Sequence, residues 1–295
     1  MSFALIDAKK VDIPIATACS VLDVSQSGYY AWKKRGSSLR QRRDLVLLAH
    51  IRSQFATSNG TYGSPRMHFE LQEDGLCVGR HRVARLMRDN SLMARQKTRF
   101  KKTTDSDHGG PVAINVLDQD FSTDGPNEKW CVDISYIWTA EGWLYLAIVL
   151  DLFSRRIVGW AMSDRMKKGL AIEALRRAIV QRKPPRGLIH HSDRGSQYCS
   201  GDYRRLLAEQ GFVASMSGRG NCYDNAMVET VFKTIKAELV WRTSYESRLA
   251  ATRAIGSYIE GFYNPRRRHS SLAYQSPAAF ERTYAGEKER ESALH

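Results

Sequence analysis

Trp130-Cys131-Val132-Asp133-Ile134-Ser135-Tyr136-Ile137-Trp138 has the side-chain alternation of a β-strand with an acid at its centre. Val132, Ile134 and Tyr136 point one way and Cys131, Asp133 and Ser135 the other, the period of two of an extended strand. Asp133 is therefore an acid placed within an otherwise half-buried strand, a position that costs free energy unless something compensates it. Downstream, residues 144–151 and 157–162 read as two further strands, joined by turns at Glu141-Gly142 and Ser154-Arg155. Residues 169–182 read as an amphipathic helix. After Pro184-Pro185 and Gly187, residues 188–191 read as a short buried strand.

A three-strand meander followed by alternating helices and strands predicts an α/β domain with the ribonuclease-H-like order, a mixed sheet with helices on both faces. Upstream, small all-α units precede it. Between Ile13 and Arg35 the pattern is helix, short turn, helix, with Pro14 suited to a first helical position and Ser25 to an N-cap. A clearer helix-turn-helix follows: Pro65 opens a helix through Glu73, Asp74-Gly75 breaks it, and residues 79–90 form another. There Val83, Leu86 and Met87 make the apolar stripe, while Arg80, Arg82, Arg85 and Arg88 project elsewhere and are candidate DNA contacts. A solvated basic helix in a small bundle is the plainer reading of the same pattern.

Bulk properties agree with a polyanion-binding protein. The 295 residues are enough for two or three compact units, and a net charge of +14 suits nucleic acid. The excess is mainly N-terminal: residues 26–106 carry 17 Lys or Arg against 6 acids, whereas residues 126–240 carry 17 against 12. Between Asp107 and Gly125 there are four acids and no Lys or Arg, which reads as a linker. No apolar run of 18 residues is present and residues 1–14 lack a signal-peptide pattern, so no membrane and a cytoplasmic location are expected. Five scattered cysteines without paired spacing argue against a disulfide framework and a structural zinc site.

Two further acids stand out. Asp193 lies just past the strand ending near His191, where a loop begins with Arg194-Gly195-Ser196, and strand ends are where open α/β sheets place ligands. Glu229 lies in an expected helix over residues 223–239, whose apolar stripe is Val228, Phe232, Ile235 and Leu239. Glu229, Lys233 and Lys236 share an adjacent stripe. Three acids from two strands and a helix could converge, and repelling carboxylates are tolerable when they share hard divalent cations. With 31 acids in the chain, each taken singly reads as readily as an exposed carboxylate. The intervals discriminate: 59 residues separate Asp133 from Asp193, and 35 separate Asp193 from Glu229.

Through the 130–137 block, His191-Ser192-Asp193-Arg194-Gly195-Ser196-Gln197-Tyr198 and Gly220-Asn221-Cys222-Tyr223-Asp224-Asn225-Ala226-Met227-Val228-Glu229, the chain resembles DDE transposases and retroviral integrases. It is most similar to the second-frame product of the insertion-sequence-three family, and the resemblance extends from about Ser25 through Tyr263-Asn264-Pro265-Arg266-Arg267-Arg268-His269 and Ser276-Pro277. The resemblance implies metal-dependent cleavage of transposon DNA ends and strand transfer. Asp133, Asp193 and Glu229 would be the catalytic metal ligands for two Mg2+ or Mn2+ ions, Asp133 bridging both. Lys233 and Lys236 are expected to meet DNA, and Gln197 and Asn225 to support the acids. Trp130, Trp138, Trp143 and Trp160 are read as core and strand-edge packing, and His190 as packing at the strand end.

The partners so implied are double-stranded DNA, as transposon ends and as target, further copies of the chain in a homo-oligomer on DNA, and an upstream-frame protein or fusion segment. The zinc module of retroviral integrases has no counterpart here, and no leucine-zipper heptads occur. The expected division is 1–58 helical with a weak helix-turn-helix, 59–102 a basic helix-turn-helix-like unit, 103–127 a linker, 128–240 the catalytic core, and 241–295 a helical tail. Three acids alone leave open a ribonuclease-H-like nuclease or junction resolvase that cuts without joining. The basic helices alone leave open a repressor.

Overall fold

The computed structural model describes residues 2–94, 112–218 and 224–293. Parts of the expected DNA-binding unit (95–102) and linker (103–111), and Gly220 to Tyr223 of the third motif, lie outside the described residues. Helices α1 (Ser2–Lys9), α2 (Ile15–Val21) and α3 (Gln26–Lys34) gather around Ile6, Cys19 and Tyr29. Ser25 caps α3 as expected, its hydroxyl accepting the Gly28 N–H at 3.0 Å. Pro14 stands one residue earlier than expected, at the N-cap of α2, where its carbonyl accepts the N–H of Ala18.

Helix α4 (Leu39–Thr57), which the sequence pattern did not separate out, opens with a capping box of Ser38 and Gln41. It packs on α5 (Ser64–Glu73) and α6 (Arg80–Asp89) around Leu47, Ile51, Met67, Leu71, Val83 and Leu86. The apolar stripe of α6 is thus buried in a three-helix core.

Strands β1 (Lys129–Thr139), β2 (Gly142–Asp151), β3 (Ile157–Ser163), β4 (Ile189–Ser192) and β5 (Val213–Met216) form one sheet in the order β3-β2-β1-β4-β5. The β1–β2 and β2–β3 pairs are antiparallel, and β1–β4 and β4–β5 are parallel. This is the ribonuclease-H-like mixed sheet that the element order predicts. Gly142, at φ +101°, makes the β1–β2 turn that an L side chain would strain.

Helices α7 (Lys168–Arg182), α8 (Ser196–Cys199) and α9 (Gly201–Gln210) cover one face, over Trp130, Val132, Ala147 and Val149. Helices α10 (Ala226–Glu238) and α11 (Arg248–Tyr258) cover the other, over Cys131, Ile137 and Ile148. At Gly159 a Cβ would stand 2.4 Å from the Ala174 carbonyl oxygen, so α7 lies as close to the sheet as a glycine allows. The chain ends in α12 (Pro277–Ala293).

Three differences from the sequence expectation have physical causes. Around Trp130 to Val132, β1 is covered on both faces and not half-buried, because the cluster that includes α7, α8 and α9 side chains and the cluster that includes α10 lie on opposite sides; there its alternation separates two cores, not core from solvent. The four-residue β5 is too short to show a period of its own and is made by pairing with β4. From Val112 onward the segment expected as linker packs on the domain: the N–H groups of Val116 and Leu117 donate to the Ser215 hydroxyl at 2.9 and 3.1 Å, and Leu117 is buried.

Candidate active site

Register alone brings two of the acids together. In the parallel β1–β4 pair Val132 stands opposite Ser192, so Asp133 and Asp193 are the next residues on neighbouring strands, which run about 4.8 Å apart. β4 ends there. Asp193 turns into the loop with its Oδ1 accepting the Gly195 N–H at 2.9 Å. Helix α10, held on the sheet by Val228, Phe232 and Ile235, brings Glu229 from the third direction. At its start Asn225 is buried, and its Nδ2 donates to the Val132 carbonyl at 3.4 Å, beside Asp133.

The electrostatics record the convergence. Asp133 keeps part of its surface open to solvent, yet its carboxyl is enclosed by protein atoms. Burial first, then the charge of Asp193 and more weakly that of Glu229, hold its pKa well above the usual carboxylate range, against the Ile134 N–H at 2.7 Å and the charge of Lys236. Tyr198 on α8 is buried under the pair; burial and then the charges of Asp133 and Asp193 raise its phenol well above its ordinary value. The sequence reading did not single it out, although it closes the 191–198 block.

The three carboxylates are neighbours without forming a cage. Among the described residues no three His, Cys, Asp or Glu side chains gather closely enough to hold one ion as they stand. The carboxylate of Glu229 instead lies 3.5 Å from Lys233, one turn along the helix. Lys236, two turns along, reaches back over the Tyr136 ring at 4.8 Å from its centroid. Burial lowers its pKa and the charge of Asp133 opposes that.

The flanking polar groups divide. Gln197 donates to the Met166 carbonyl at 3.2 Å, and its Oε1 and the Asp193 Oδ1 each lie 3.0 Å from where a Gly195 Cβ would be, so that glycine lets the two side chains close in. Asn225 Oδ1 is buried without a hydrogen-bond partner among the described residues. His190 packs at the strand end, bonded to the Tyr203 hydroxyl at 2.9 Å; burial, partly offset by a backbone hydrogen bond, lowers its pKa to about 3.

His191 is sandwiched between Ser215 Oγ at 2.9 Å and Ser217 Oγ at 3.1 Å. Since Ser215 Oγ already accepts two backbone N–H groups, its own proton goes to His191 Nδ1, and burial keeps the ring neutral, with a pKa of about 4.

The candidate DNA arginines also divide. Arg82 and Arg85 are each paired with Asp44 of α4 at 2.7 Å, whereas Arg80 and Arg88 are exposed. The tail locks this unit to the core. Arg268 pairs with Glu70 and Glu73 of α5 and donates its backbone N–H to the Tyr62 hydroxyl at 2.9 Å. Tyr274 stacks on Phe69 at 4.2 Å. Arg267 grips Glu238, at the end of α10, through Nε at 2.9 Å and Nη2 at 2.7 Å, with Tyr258 and Arg66 beside it. On the far edge Asn264 bonds both the N–H and the carbonyl of Ile157, standing in for a strand beside β3.

The sheet order, with acids at the middle of β1, past the end of β4 and on α10, defines an integrase-core protein of the ribonuclease-H-like class. Family models agree: an integrase core domain matches residues 123–222 and again 210–277, and an HTH-like domain matches residues 41–100. The chain belongs to the IS3 family of DDE transposases. It is 42% identical over 287 residues to the transposase InsF for insertion sequence IS3A of Escherichia coli strain K12, covering 95% of this chain and 98% of that one. It is 46% identical over 266 residues to an uncharacterized 31 kDa protein of insertion element IS600 from Shigella sonnei, covering 90% and 98%.

Among solved structures, the simian T-cell lymphotropic virus intasome in complex with PP2A regulatory subunit B56 gamma is similar at 13% identity and TM-score 0.45, covering 78% of this chain and 74% of that chain. The HTLV-2 integrase catalytic core domain in complex with magnesium is similar at 15% identity and TM-score 0.43, covering 54% and 99%.

Proposed function

We propose that the chain cleaves DNA at the ends of its element and joins them to target DNA, with Asp133, Asp193 and Glu229 as the catalytic acids. The observation that carries this is the β1–β4 register, which sets Asp133 and Asp193 side by side where β4 ends, with α10 delivering Glu229. The site suits hard divalent cations. Its donors are carboxylate oxygens; burial first and then their mutual repulsion raise the pKa of Asp133, and the buried Asn225 carbonyl oxygen has no hydrogen-bond partner among the described residues.

When bound by the three acids, two magnesium or manganese ions would supply Lewis acidity toward the attacking and leaving oxygens of the phosphodiester. The chain's residues do the rest. Asn225 and Gln197 brace the acids, Tyr198 fills the space beneath them, and Lys233 and Lys236 lie along α10 to meet phosphate. Arg80 and Arg88 face outward on α6, where duplex DNA would lie. The division of labour is a helical region over 1–58, a basic DNA-binding unit over 59–102, a linker over 103–127 that packs on the core from Val112 onward, the catalytic core over 128–240, and the tail over 241–295. DNA ends and target, further copies of the chain, and an upstream-frame segment are its partners in this reading. Among the described residues no helix is long and apolar enough to cross a membrane.

The test is an assay on labelled DNA ends, scored for nicked and joined products, with Asp133→Asn, Asp193→Asn and Glu229→Gln. Each is expected to lose both products while still binding DNA, and chelator is expected to do the same to the unaltered chain. Wild-type activity in one variant removes that residue from the site. Full activity in chelator overturns the metal reading, and cutting without joining leaves a nuclease.

A further inference from the structure

The tip of the β1–β2 hairpin carries the aromatic side chains that the sequence pattern assigned to packing. Trp130 is buried, but Trp138 is 60% exposed and Trp143 44%. They are opposite one another in the register, with ring centroids 4.8 Å apart at 76°, and Trp143 meets Tyr136 at 5.0 Å and 87°. In an edge-to-face pair one ring spends its edge, so its faces stay free. The group is thus held rigid by its own contacts while presenting flat apolar surface to solvent. Exposed tryptophans fixed in this way mark a surface made to be covered.

What covers it follows from its surroundings. β1 loses its β4 neighbour after Val132, so among the described residues no strand pairs this edge from Asp133 to Trp138. The distance along it is about 17 Å, at about 3.3 Å per residue, which a DNA strand covers in at most about five nucleotides even at the compact duplex rise of about 3.4 Å; since Asp133 and Trp138 alternate to opposite faces of β1, the strand passes around this edge. Cations flank the rings. Lys236 crosses this edge from α10 to lie over Tyr136, and Arg248 donates through Nε to the Trp143 carbonyl at 3.1 Å, with its guanidinium beside Gly142. Alternating positive groups for phosphates and flat rings for bases are the chemistry of a single-strand platform.

We infer that Trp138, with Trp143 and Tyr136 behind it, stacks an unpaired base of the DNA strand leaving the acidic site, while Lys236 and Arg248 hold the phosphates on either side. This rests on the reading of Asp133 as the reaction site. A paired base has both faces covered by its neighbours, so the ligand is a base that is frayed, extruded or in an overhang within about five nucleotides of the scissile phosphate.

The experiment measures binding of the full chain to two sets of end duplexes in chelator, one fully paired and one with mismatched bases three to six nucleotides from the cleavage position. 2-Aminopurine at those positions reports stacking. Unaltered protein is expected to prefer the mismatched ends and quench the probe. Trp138→Ala is expected to lose about tenfold of that preference, with binding of the paired duplex unchanged, and Trp138→Phe to keep most of it.

Equal preference in Trp138→Ala and the unaltered chain overturns the proposal. So does a change of oligomeric state in sedimentation with the DNA preference intact, which would assign the surface to a protein contact. Asp133→Asn separates the two readings: it should lose cleavage and keep the preference. If it cleaves, the acid assignment fails while the Trp138 result still judges the stacking site.

Discussion

Replacing Arg267 with alanine tests whether the tail holds the catalytic helix in place. Glu238 lies nine residues after Glu229 on α10, and its side chain and that of Arg267 are only 10% and 6% exposed. Burial pushes the Glu238 carboxyl upward, but the two hydrogen bonds and charge of Arg267, the Tyr258 hydroxyl at 2.6 Å and the charge of Arg66 outweigh it, and the net shift is downward. Removing one partner of a buried pair costs about 3–5 kcal/mol, because the other charge is left without solvent or counterion. Here Tyr258 and Arg66 remain, the latter at 3.7 Å, so the lower end applies, about 3 kcal/mol.

At about 2 °C per kcal/mol for a chain of this size, the melting temperature should fall by about 6 °C at pH 7. Adding Glu238→Gln should recover part of this, since no buried charge is then stranded. A carboxyl with a depressed folded pKa contributes stability above its ordinary pKa near 4.5 and loses it as pH falls through the folded value. The deficit of Arg267→Ala should therefore hold level from pH 7 to about 4.5 and shrink as pH is lowered further, toward the folded value. Thermal melts of the single and double variants at about pH 7 and about pH 3.5 provide the measurement. A loss below about 1 kcal/mol, or a double variant less stable than the single one, would refute the reasoning.

Arg80→Ala with Arg88→Ala should weaken duplex binding and reduce the slope of log affinity against log salt by about 1.8, at about 0.9 per phosphate contact; an unchanged slope shows these arginines to be solvated surface. His191 and His190 stay neutral in the fold down to about 4 and about 3, whereas in the unfolded chain they take up protons near 6.5. Their contribution is thus intact above pH 6.5 and declines as pH drops toward 4, by up to about 1.4 kcal/mol per pH unit for each ring. Denaturant midpoints read between pH 7.5 and 4.5 should decline steadily, and a flat profile would contradict the buried neutral rings.

The local features of this chain were legible in its sequence because each needs only a few neighbouring residues. The alternation at 130–138 gave β1, the stripe of Val228, Phe232 and Ile235 gave α10, and Ser25 gave a cap, whereas the candidate triad of Asp133, Asp193 and Glu229 came from long intervals and the motifs of the family resemblance. Tertiary structure decided what depends on partners distant along the chain. The parallel register of β1 with β4 makes Asp133 and Asp193 neighbours across 59 intervening residues.

Asp44 draws Arg82 and Arg85 away from solvent, although the α6 pattern lets all four arginines project alike. Trp130 and Trp138 sit on the same face of the same strand, yet Trp130 is buried against Phe212 among side chains of the helices on that face, and Trp138 lies 60% exposed near the hairpin tip. Periodicity records which residues share a face. It does not record how far the covering helix extends, because that is set by the packing of another segment.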